Sequence, residues 1–381
     1  MNLGEIWWQT IPNAVRLCTE LGKNLCEEIH VVLQHPEHLP WKNIFKEKFE
    51  EYIHGHDSNR SLKWVAASSI GDEKDSLGAY LLRHCCKEEL RCQFRPGIGY
   101  ARFLATSCER STLKDTYLVI DGATATQIEK WIPFLSEYTS FLNGASGCVC
   151  FIMTAESMDC LPCKGVRQIE YAKFVTDYDS LIFALIASGE QQVGSNTLRQ
   201  YLGELVISVT GTDVELGAAC IRAGESFMSD PHSVLTELAT TGSYSNGNFF
   251  PTAPEVSEIQ NLIWITQMKL LMPKIEKFRQ SFLECHKDEI QQHLPCENAI
   301  NETITDYHHV ELGLLWNFYC KNYFNIIGSG DEQNLKLYRE ARNQLAHLKP
   351  LDYAMVKKLL EVDRKINNGL SFSTSTKMFL V

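Results

Sequence analysis

Five short, largely apolar runs within residues 1–190 constrain the fold of this chain more than any other feature. Runs of this length without polar alternation are typical of strands that are covered on both faces. Segments with helical spacing of apolar residues, such as residues 123–142, separate the runs, and crossovers of that length favour parallel pairing. The sequence therefore predicts an α/β domain with a parallel sheet over residues 1–190. The five predicted strands are residues 29–33, 63–67, 117–120, 148–153 and 166–169.

The rest of the chain divides into smaller segments by composition. At 381 residues, two or three domains are expected. Residues 191–240 are predicted to form a small helical or winged-helix module with a strand-like run at 205–210. A Gly- and Ser-rich stretch within residues 241–254 is typical of a linker. Residues 255–367 are predicted to form an all-α bundle of about four helices, and residues 368–381 a tail that is disordered or adds a strand to a partner.

The charge of the chain limits how it can contact nucleic acids. Its formal net charge is −11, which argues against broad, sequence-blind binding because such binding depends on clustered Lys and Arg. Any RNA contact is therefore expected to be local. Paired basic residues at Lys357-Lys358 and Arg364-Lys365 place this contact in the last third of the chain.

Targeting signals and cysteines indicate the compartment. The first residues lack the basic start and apolar core of a secretory signal, and no apolar run is long enough for a membrane span. A cytoplasmic protein with no membrane partner is expected. The 14 cysteines are scattered along a long chain, which favours reduced and mostly buried thiols. Cys160 and Cys163 form a lone C-x-x-C, for which buried thiols are favoured over a zinc site.

Residues 337–347 carry the strongest chemical signal. Asn343 directly follows Arg342, and His347 comes five positions after Arg342. Five residues on an α-helix separate two side chains by about 140° and about 7.5 Å, so a helix that ends near His347 lets both reach one phosphate. A guanidinium stabilises phosphorane charge with its fork of donors, and an imidazole moves protons near neutral pH. The structural alternative is that Arg342 pairs with Glu340 and His347 caps the helix.

This arrangement resembles the HEPN superfamily, whose signature is R-x4-6-H, often with Asn directly after the Arg. The resemblance covers roughly residues 255–367 and includes the helix exit at residues 345–351. It implies a metal-independent endoribonuclease with Arg342, Asn343 and His347 as the catalytic set. It also implies an RNA substrate, a homodimer with both motifs in a shared cleft, no required cofactor, and products that end in a 2′,3′-cyclic phosphate and a 5′-hydroxyl.

The N-terminal domain resembles a P-loop fold of the STAND or AAA type that has lost its phosphate loop. Residues 117–120 followed by Asp121 are similar to a Walker B strand, whose acidic residue would hold a magnesium-bound water. Phosphate binding also needs G-x-x-x-x-G-K-[ST] after the first strand. Residues 34–40 supply neither Gly nor Lys, so nucleotide hydrolysis is not expected. Asp121 is the one candidate nucleotide-site residue, with a plain strand-end role as the alternative.

Three functions stay open from the sequence. The first is an endoribonuclease effector of a prokaryotic antiviral defence, CRISPR-linked or toxin system, controlled by the N-terminal domain or a partner. The second is a non-catalytic subunit that dimerises or binds RNA within a larger defence complex. The third is an NTPase with an unusual nucleotide site. A CARF-type sensor is the rival interpretation of the N-terminal domain, with a cyclic oligonucleotide or another nucleotide as activator.

Overall fold

The structure is a computed structural model that describes residues 2–158, 163–190, 194–298, 300–324 and 329–367. Cys160 of the C-x-x-C pair and the predicted tail lie outside the described residues. The chain forms two compact units. The first comprises Met1–Phe183, Thr212–Glu215 and Ser243–Phe249, and the second comprises Ala184–Gly211, Leu216–Gly242 and Phe250–Val381.

The first unit is built on a five-stranded parallel sheet. Its strands are β1 (His30–Gln34), β2 (Ser61–Ala66), β3 (Thr116–Asp121), β4 (Val149–Thr154) and β5 (Val166–Glu170). They lie in the order β2-β3-β4-β1-β5, and every neighbouring pair is parallel. β1, β3 and β4 are buried along nearly their whole length, as expected for strands inside a parallel sheet. The predicted α/β class and all five predicted strands are confirmed.

Helices connect and cover the strands of this sheet. α7 (Ala125–Leu142) begins with a capping box, in which the Thr124 hydroxyl accepts from the Gln127 N–H and the Gln127 side chain accepts from the Thr124 N–H. Ile128, Trp131 and Leu135 recur at helical spacing along α7 and are buried in the core beside the sheet. The other helices here are α1 (Leu3–Thr10), α2 (Pro12–Cys26), α3 (Lys42–His56), α4 (Ser76–Cys85), α5 (Glu88–Arg91), α6 (Tyr100–Thr106) and α8 (Tyr171–Phe174). The next helix, α9 (Asp177–Glu190), begins in the first unit and ends in the second.

The second unit is helical apart from one short hairpin of β6 (Cys296–Glu297) and β7 (Thr303–Ile304) in its described residues. Phe278 and Tyr338 stack in its core with ring centroids 3.9 Å apart. No helix in the described part of the chain is long and apolar enough to cross a membrane. The helices are α10 (Asn196–Thr210), α11 (Val214–Ala223), α12 (Glu225–Ser229), α13 (Pro231–Thr241), α14 (Val256–Cys285), α15 (Lys287–Gln291), α16 (Leu312–Cys320), α17 (Ser329–Ala346) and α18 (Tyr353–Asn367).

The strand-like interpretation of residues 205–210 is wrong, because these residues form the end of α10. Leu198, Leu202 and Val206 recur every four residues and are all buried. Packing along this apolar stripe outweighs the preference of β-branched residues for strands, since strand propensity depends strongly on context.

The Gly- and Ser-rich segment predicted as a linker forms an anchored loop in the first unit. Ser243 and Phe249 pair across it in an antiparallel bridge. Tyr244 is buried, its hydroxyl donates to Asp213, and its ring stacks on His38 at 4.1 Å between centroids. Composition alone predicts a flexible linker, whereas one aromatic side chain with buried partners fixes the segment.

The expectation that the thiols are mostly buried holds for just over half of the cysteines in the described residues. Of the thirteen cysteines in the described residues, seven are buried. Burial raises the pKa of Cys18 and Cys85 to about 12 and that of Cys108 to about 11. Because the thiolate is the reactive form, these three thiols are expected to be chemically inert in the folded protein.

Alkylation of the folded protein should separate the two kinds of thiol. Cys92 and Cys320 are exposed and are expected to react with iodoacetamide first, while Cys18, Cys85 and Cys108 react only after unfolding. Mass spectrometry of peptides from native and denatured samples measures this order. Rapid labelling of Cys18 or Cys85 in the native state would contradict the burial described here.

Candidate functional sites

The three residues of the R-N-x-x-x-H motif lie at the C-terminal end of α17. Arg342 and Asn343 are in the last turns of the helix, and His347 directly follows its final residue, Ala346. The Arg342 side chain is 42% exposed, Asn343 is half-buried, and His347 is exposed. The helix ends where the motif predicts, and both side chains that the proposed chemistry needs can meet a ligand from solvent.

Arg342 pairs with Glu311 rather than with Glu340. Its Nη2 lies 3.6 Å from Oε2 of Glu311, the residue that precedes α16. Both side chains are substantially exposed, so the pair contributes little stability and leaves the guanidinium able to change partners. The ion pair therefore holds Arg342 near α16 without removing it from the surface.

Arg279 of α14 fixes the segment that carries Glu311. Its Nη1 donates to the carbonyl oxygens of His308 at 2.8 Å and Val310 at 3.0 Å. Hydrogen bonds and charge from Glu276, with a contribution from Glu311, raise the pKa of Arg279 against the opposing effect of burial. Glu311 thus interacts with two guanidinium groups, those of Arg279 and Arg342.

The backbone that leaves the motif helix is held by hydrogen bonds from α14. The Gln267 side chain accepts from the Leu351 N–H at 2.7 Å and donates to the Leu351 carbonyl at 2.9 Å. Gln267 is 1% exposed and also donates to the Tyr201 hydroxyl. Trp264 donates from Nε1 to the Leu345 carbonyl at 2.8 Å. Two α14 side chains therefore fix the chain on both sides of His347.

Leu348 adopts a left-handed conformation directly after His347, with φ at 58°. The Lys349 N–H donates to the Gln344 carbonyl and the Leu348 N–H to the Leu345 carbonyl, which together form a Schellman motif. Glycine usually occupies this position because a Cβ is strained there. Leu348 is also 70% exposed, so an apolar side chain in a strained conformation stands beside the predicted catalytic histidine.

Leu348→Gly is expected to raise the free energy of unfolding by about 1 kcal/mol, because it removes the left-handed strain and little packing. Urea denaturation followed by circular dichroism measures the change. Leu348→Ala is the matched control, since alanine keeps the Cβ and should gain much less. A glycine variant that is less stable than wild type would show that the left-handed turn is not populated in solution.

Asp121 ends β3 and is held by two lysines of α3. Its Oδ1 lies 2.6 Å from Nζ of Lys42, and its Oδ2 lies 3.7 Å from Nζ of Lys46. The N–H of Trp41, at the N-terminus of α3, donates to Oε1 of Glu215 at 2.5 Å. A helix N-terminus after the first strand is where a P-loop binds phosphate. Here two carboxylates of the protein itself take these contacts: Glu215 accepts from the N-terminus of α3, and Asp121 pairs with Lys42.

Asp121→Asn is expected to lower the free energy of unfolding by about 1 kcal/mol, a value discounted because the pair is partly exposed. It leaves Lys42 and Lys46 without their counter-charge at this edge of the sheet. Chemical denaturation measures the loss. Glu109→Gln, which breaks the more exposed pair with Lys114, should cause no measurable change, and equal effects of the two variants would contradict a structural role for Asp121.

Metal-ligating side chains do not converge among the described residues. No group of three or more His, Cys, Asp or Glu is arranged there to hold a metal ion. His84, Cys85, Cys86 and Cys92 are close in sequence, but Cys85 and Cys86 are buried while His84 and Cys92 are exposed.

Comparisons with known proteins assign no family to the chain. No family model matches it, and no curated protein matches it. Among solved structures, Cdc6p from Pyrobaculum aerophilum is 14% identical with a TM-score of 0.33, and the alignment covers 93% of this chain and 96% of that chain. A chain of the Drosophila ORC bound to DNA is 11% identical with a TM-score of 0.31, covering 92% of this chain and 85% of that chain. Both TM-scores are low, so these similarities assign no function to this chain.

Proposed function

We propose that the protein is a metal-independent endoribonuclease whose site is formed by Arg342, Asn343 and His347. The observation that supports this best is that α17 ends at the motif, so that Arg342 and His347 are both accessible to solvent while the neighbouring backbone is fixed. A fixed scaffold under exposed polar groups suits a site that must position a phosphate.

The chemistry follows from the residue types. The 2′-oxygen of the RNA attacks the adjacent phosphorus as its proton passes to an imidazole, and the bond from phosphorus to the 5′-oxygen breaks. A second histidine side chain, supplied by another copy of the motif and protonated before the reaction, gives its proton to the 5′-oxygen and completes the step. Arg342 stabilises the charge on the phosphorane oxygens, and Asn343 orients the phosphate. The products carry a 2′,3′-cyclic phosphate and a 5′-hydroxyl.

We also propose that the N-terminal unit or a partner controls RNA cleavage. We further propose that the protein acts in a prokaryotic antiviral defence, CRISPR-linked or toxin system. The net charge of −11 disfavours RNA binding over most of the protein surface. This supports an RNA contact that is local and regulated. A homodimer is expected because one motif supplies only one imidazole.

End-group analysis of cleaved RNA tests the proposal. The purified chain is incubated with labelled RNA in the presence of a chelator, with and without cyclic oligonucleotides. The products are treated with phosphatase before and after acid, because phosphatase removes the terminal phosphate only once acid has opened the cyclic diester. Cleavage that survives chelation and leaves cyclic phosphate ends is the expected result. Cleavage that requires a divalent metal, or that leaves 5′-phosphates, would exclude this mechanism.

A second candidate function is a non-catalytic subunit that binds RNA or dimerises through the second unit. The Arg342–Glu311 ion pair favours it, because the guanidinium is already balanced by a carboxylate. In that case the wild-type protein binds RNA without cleaving it, and Arg342→Ala weakens this binding.

A further inference from the structure

Leu348 adopts a costly backbone conformation from which the folded chain gains little packing. Its φ of 58° lies in the left-handed region, which strains a residue that has a Cβ. Burial does not offset the strain, because Leu348 is 70% exposed. Glycine would form the same turn at lower free energy. Strained conformations of this kind are concentrated at functional sites, where a side chain meets a ligand.

The surroundings of Leu348 combine apolar and basic groups. His347 precedes it and Lys349 follows it, and all three residues are exposed. The Leu348 N–H and the Trp264 Nε1 donate to the same oxygen, the carbonyl of Leu345, at 3.2 Å and 2.8 Å. The half-buried Trp264 ring therefore lies beside the turn that carries Leu348. An aliphatic side chain, an aromatic ring, an imidazole and an ammonium group thus lie together at the end of α17.

This combination suits a nucleotide better than another protein surface. A nucleotide carries a flat base, which stacks on apolar and aromatic side chains, and a phosphate, which pairs with cations. The core of a protein interface is depleted of lysine, whereas Leu348 lies between His347 and Lys349. The net charge of −11 also limits the affinity that phosphate contacts alone supply. Contact with a base is therefore the main remaining source of affinity beside the motif.

We propose that Leu348 and Trp264 form an apolar platform on which an unpaired base of the RNA stacks, next to the phosphate held by the motif. Leu348 is then a specificity-determining residue. It favours single strands, whose bases are free to stack on protein, over duplexes, whose bases are paired and stacked on one another. Lys349 contacts a phosphate of the same strand. This inference rests on the proposed function, because it requires RNA at Arg342 and His347.

Binding of labelled oligonucleotides to the full-length protein measures the contribution of the platform without requiring cleavage. The first probe is 2′-O-methyl oligoadenylate, which lacks the nucleophile of the proposed reaction. The others are the same strand annealed to oligouridylate, and a 2′-O-methyl ribose phosphate chain of equal length that has no bases. Wild type should bind the single strand more tightly than either of the others. Fluorescence anisotropy measures each dissociation constant.

Leu348→Gly is expected to weaken binding of the single strand about tenfold and to leave binding of the chain without bases unchanged. Leu348→Met keeps a long apolar side chain and should retain most of the affinity. Leu348→Ala keeps the strained turn, so it should lose affinity as Leu348→Gly does but without the gain in stability. Phe249→Ala is the matched control, because Phe249 is an equally exposed apolar residue of the first unit, at 70%, and should not change binding.

Equal affinity of wild type and Leu348→Gly for the single strand would overturn the proposal. Equal weakening of the chain without bases would assign Leu348 to the sugar phosphate backbone. Dissociation of a dimer in Leu348→Gly, measured by sedimentation, would assign it to a contact with a second copy of the chain. Either of these results excludes the platform.

Failure of this inference is distinguishable from failure of the nuclease proposal. If wild type cleaves RNA and Leu348→Gly binds the single strand as tightly as wild type, the platform alone is excluded. If wild type binds RNA without cleaving it and Leu348→Gly weakens that binding, the platform is supported and the nuclease is excluded. A wild-type protein that neither binds nor cleaves RNA would exclude both.

Discussion

His347→Ala is expected to lower the rate of RNA cleavage about 1,000-fold, because it removes the group that moves protons in the proposed mechanism. His347 is exposed and follows the helix end, so the variant should fold with unchanged stability. Single-turnover cleavage of labelled RNA measures the loss. Lys336→Ala, an exposed change on the same helix, is the control and should retain near wild-type activity.

Glu311 distinguishes a catalytic Arg342 from a structural one. Arg342→Ala and Glu311→Gln both break the same ion pair. If Arg342 acts on the phosphate, only the arginine variant loses cleavage, and Arg342→Lys rescues it poorly because lysine lacks the planar fork of donors. If Arg342→Ala and Glu311→Gln lost RNA cleavage equally, or if His347→Ala kept full activity, the motif would take no part in catalysis.

Gln267→Leu is expected to lower the free energy of unfolding by about 3 kcal/mol, because it leaves buried backbone groups of Leu351 without partners. The leucine has a similar volume, so lost hydrogen bonding dominates the change. Urea denaturation measures it. Cleavage should also fall, since the chain after His347 loses its anchor on α14.

A matched change on the same helix separates this effect from a general sensitivity of α14. Gln280 is exposed, so Gln280→Leu should leave stability nearly unchanged. If Gln267→Leu were as stable as wild type, the buried bonds to Leu351 would not exist in solution. If it were unstable but fully active after refolding at low temperature, the anchor would not position the site.

Local sequence patterns were sufficient to predict the strands of the first unit. The five strands follow from continuous apolar runs, because strands inside a parallel sheet are covered on both faces. The end of α17 near His347 and the start of α18 after Asp352 also follow from local signals, and Asp352 accepts from the Met355 N–H as an N-cap.

The errors arose where a contact distant in sequence overrides a local preference. Residues 205–210 are rich in β-branched side chains but form the end of α10, whose buried stripe includes Val206. The segment around Tyr244 has the composition of a linker, yet the bonds of Tyr244 and Ser245 to Asp213 and Glu215 anchor it. Such partners lie about 30 residues away, and no periodicity within a short window reports them.

The sequence by itself determined the class of the first unit and the position of Arg342, Asn343 and His347 at a helix end, because periodicity and helix-end signals are local. Only the tertiary structure decided that Glu311 is the partner of Arg342 and that Gln267 holds Leu351. Arg342 and Glu311 are 31 positions apart, and Gln267 and Leu351 are 84 positions apart. Which distant side chains meet depends on how the elements pack, and packing is a property of the whole unit.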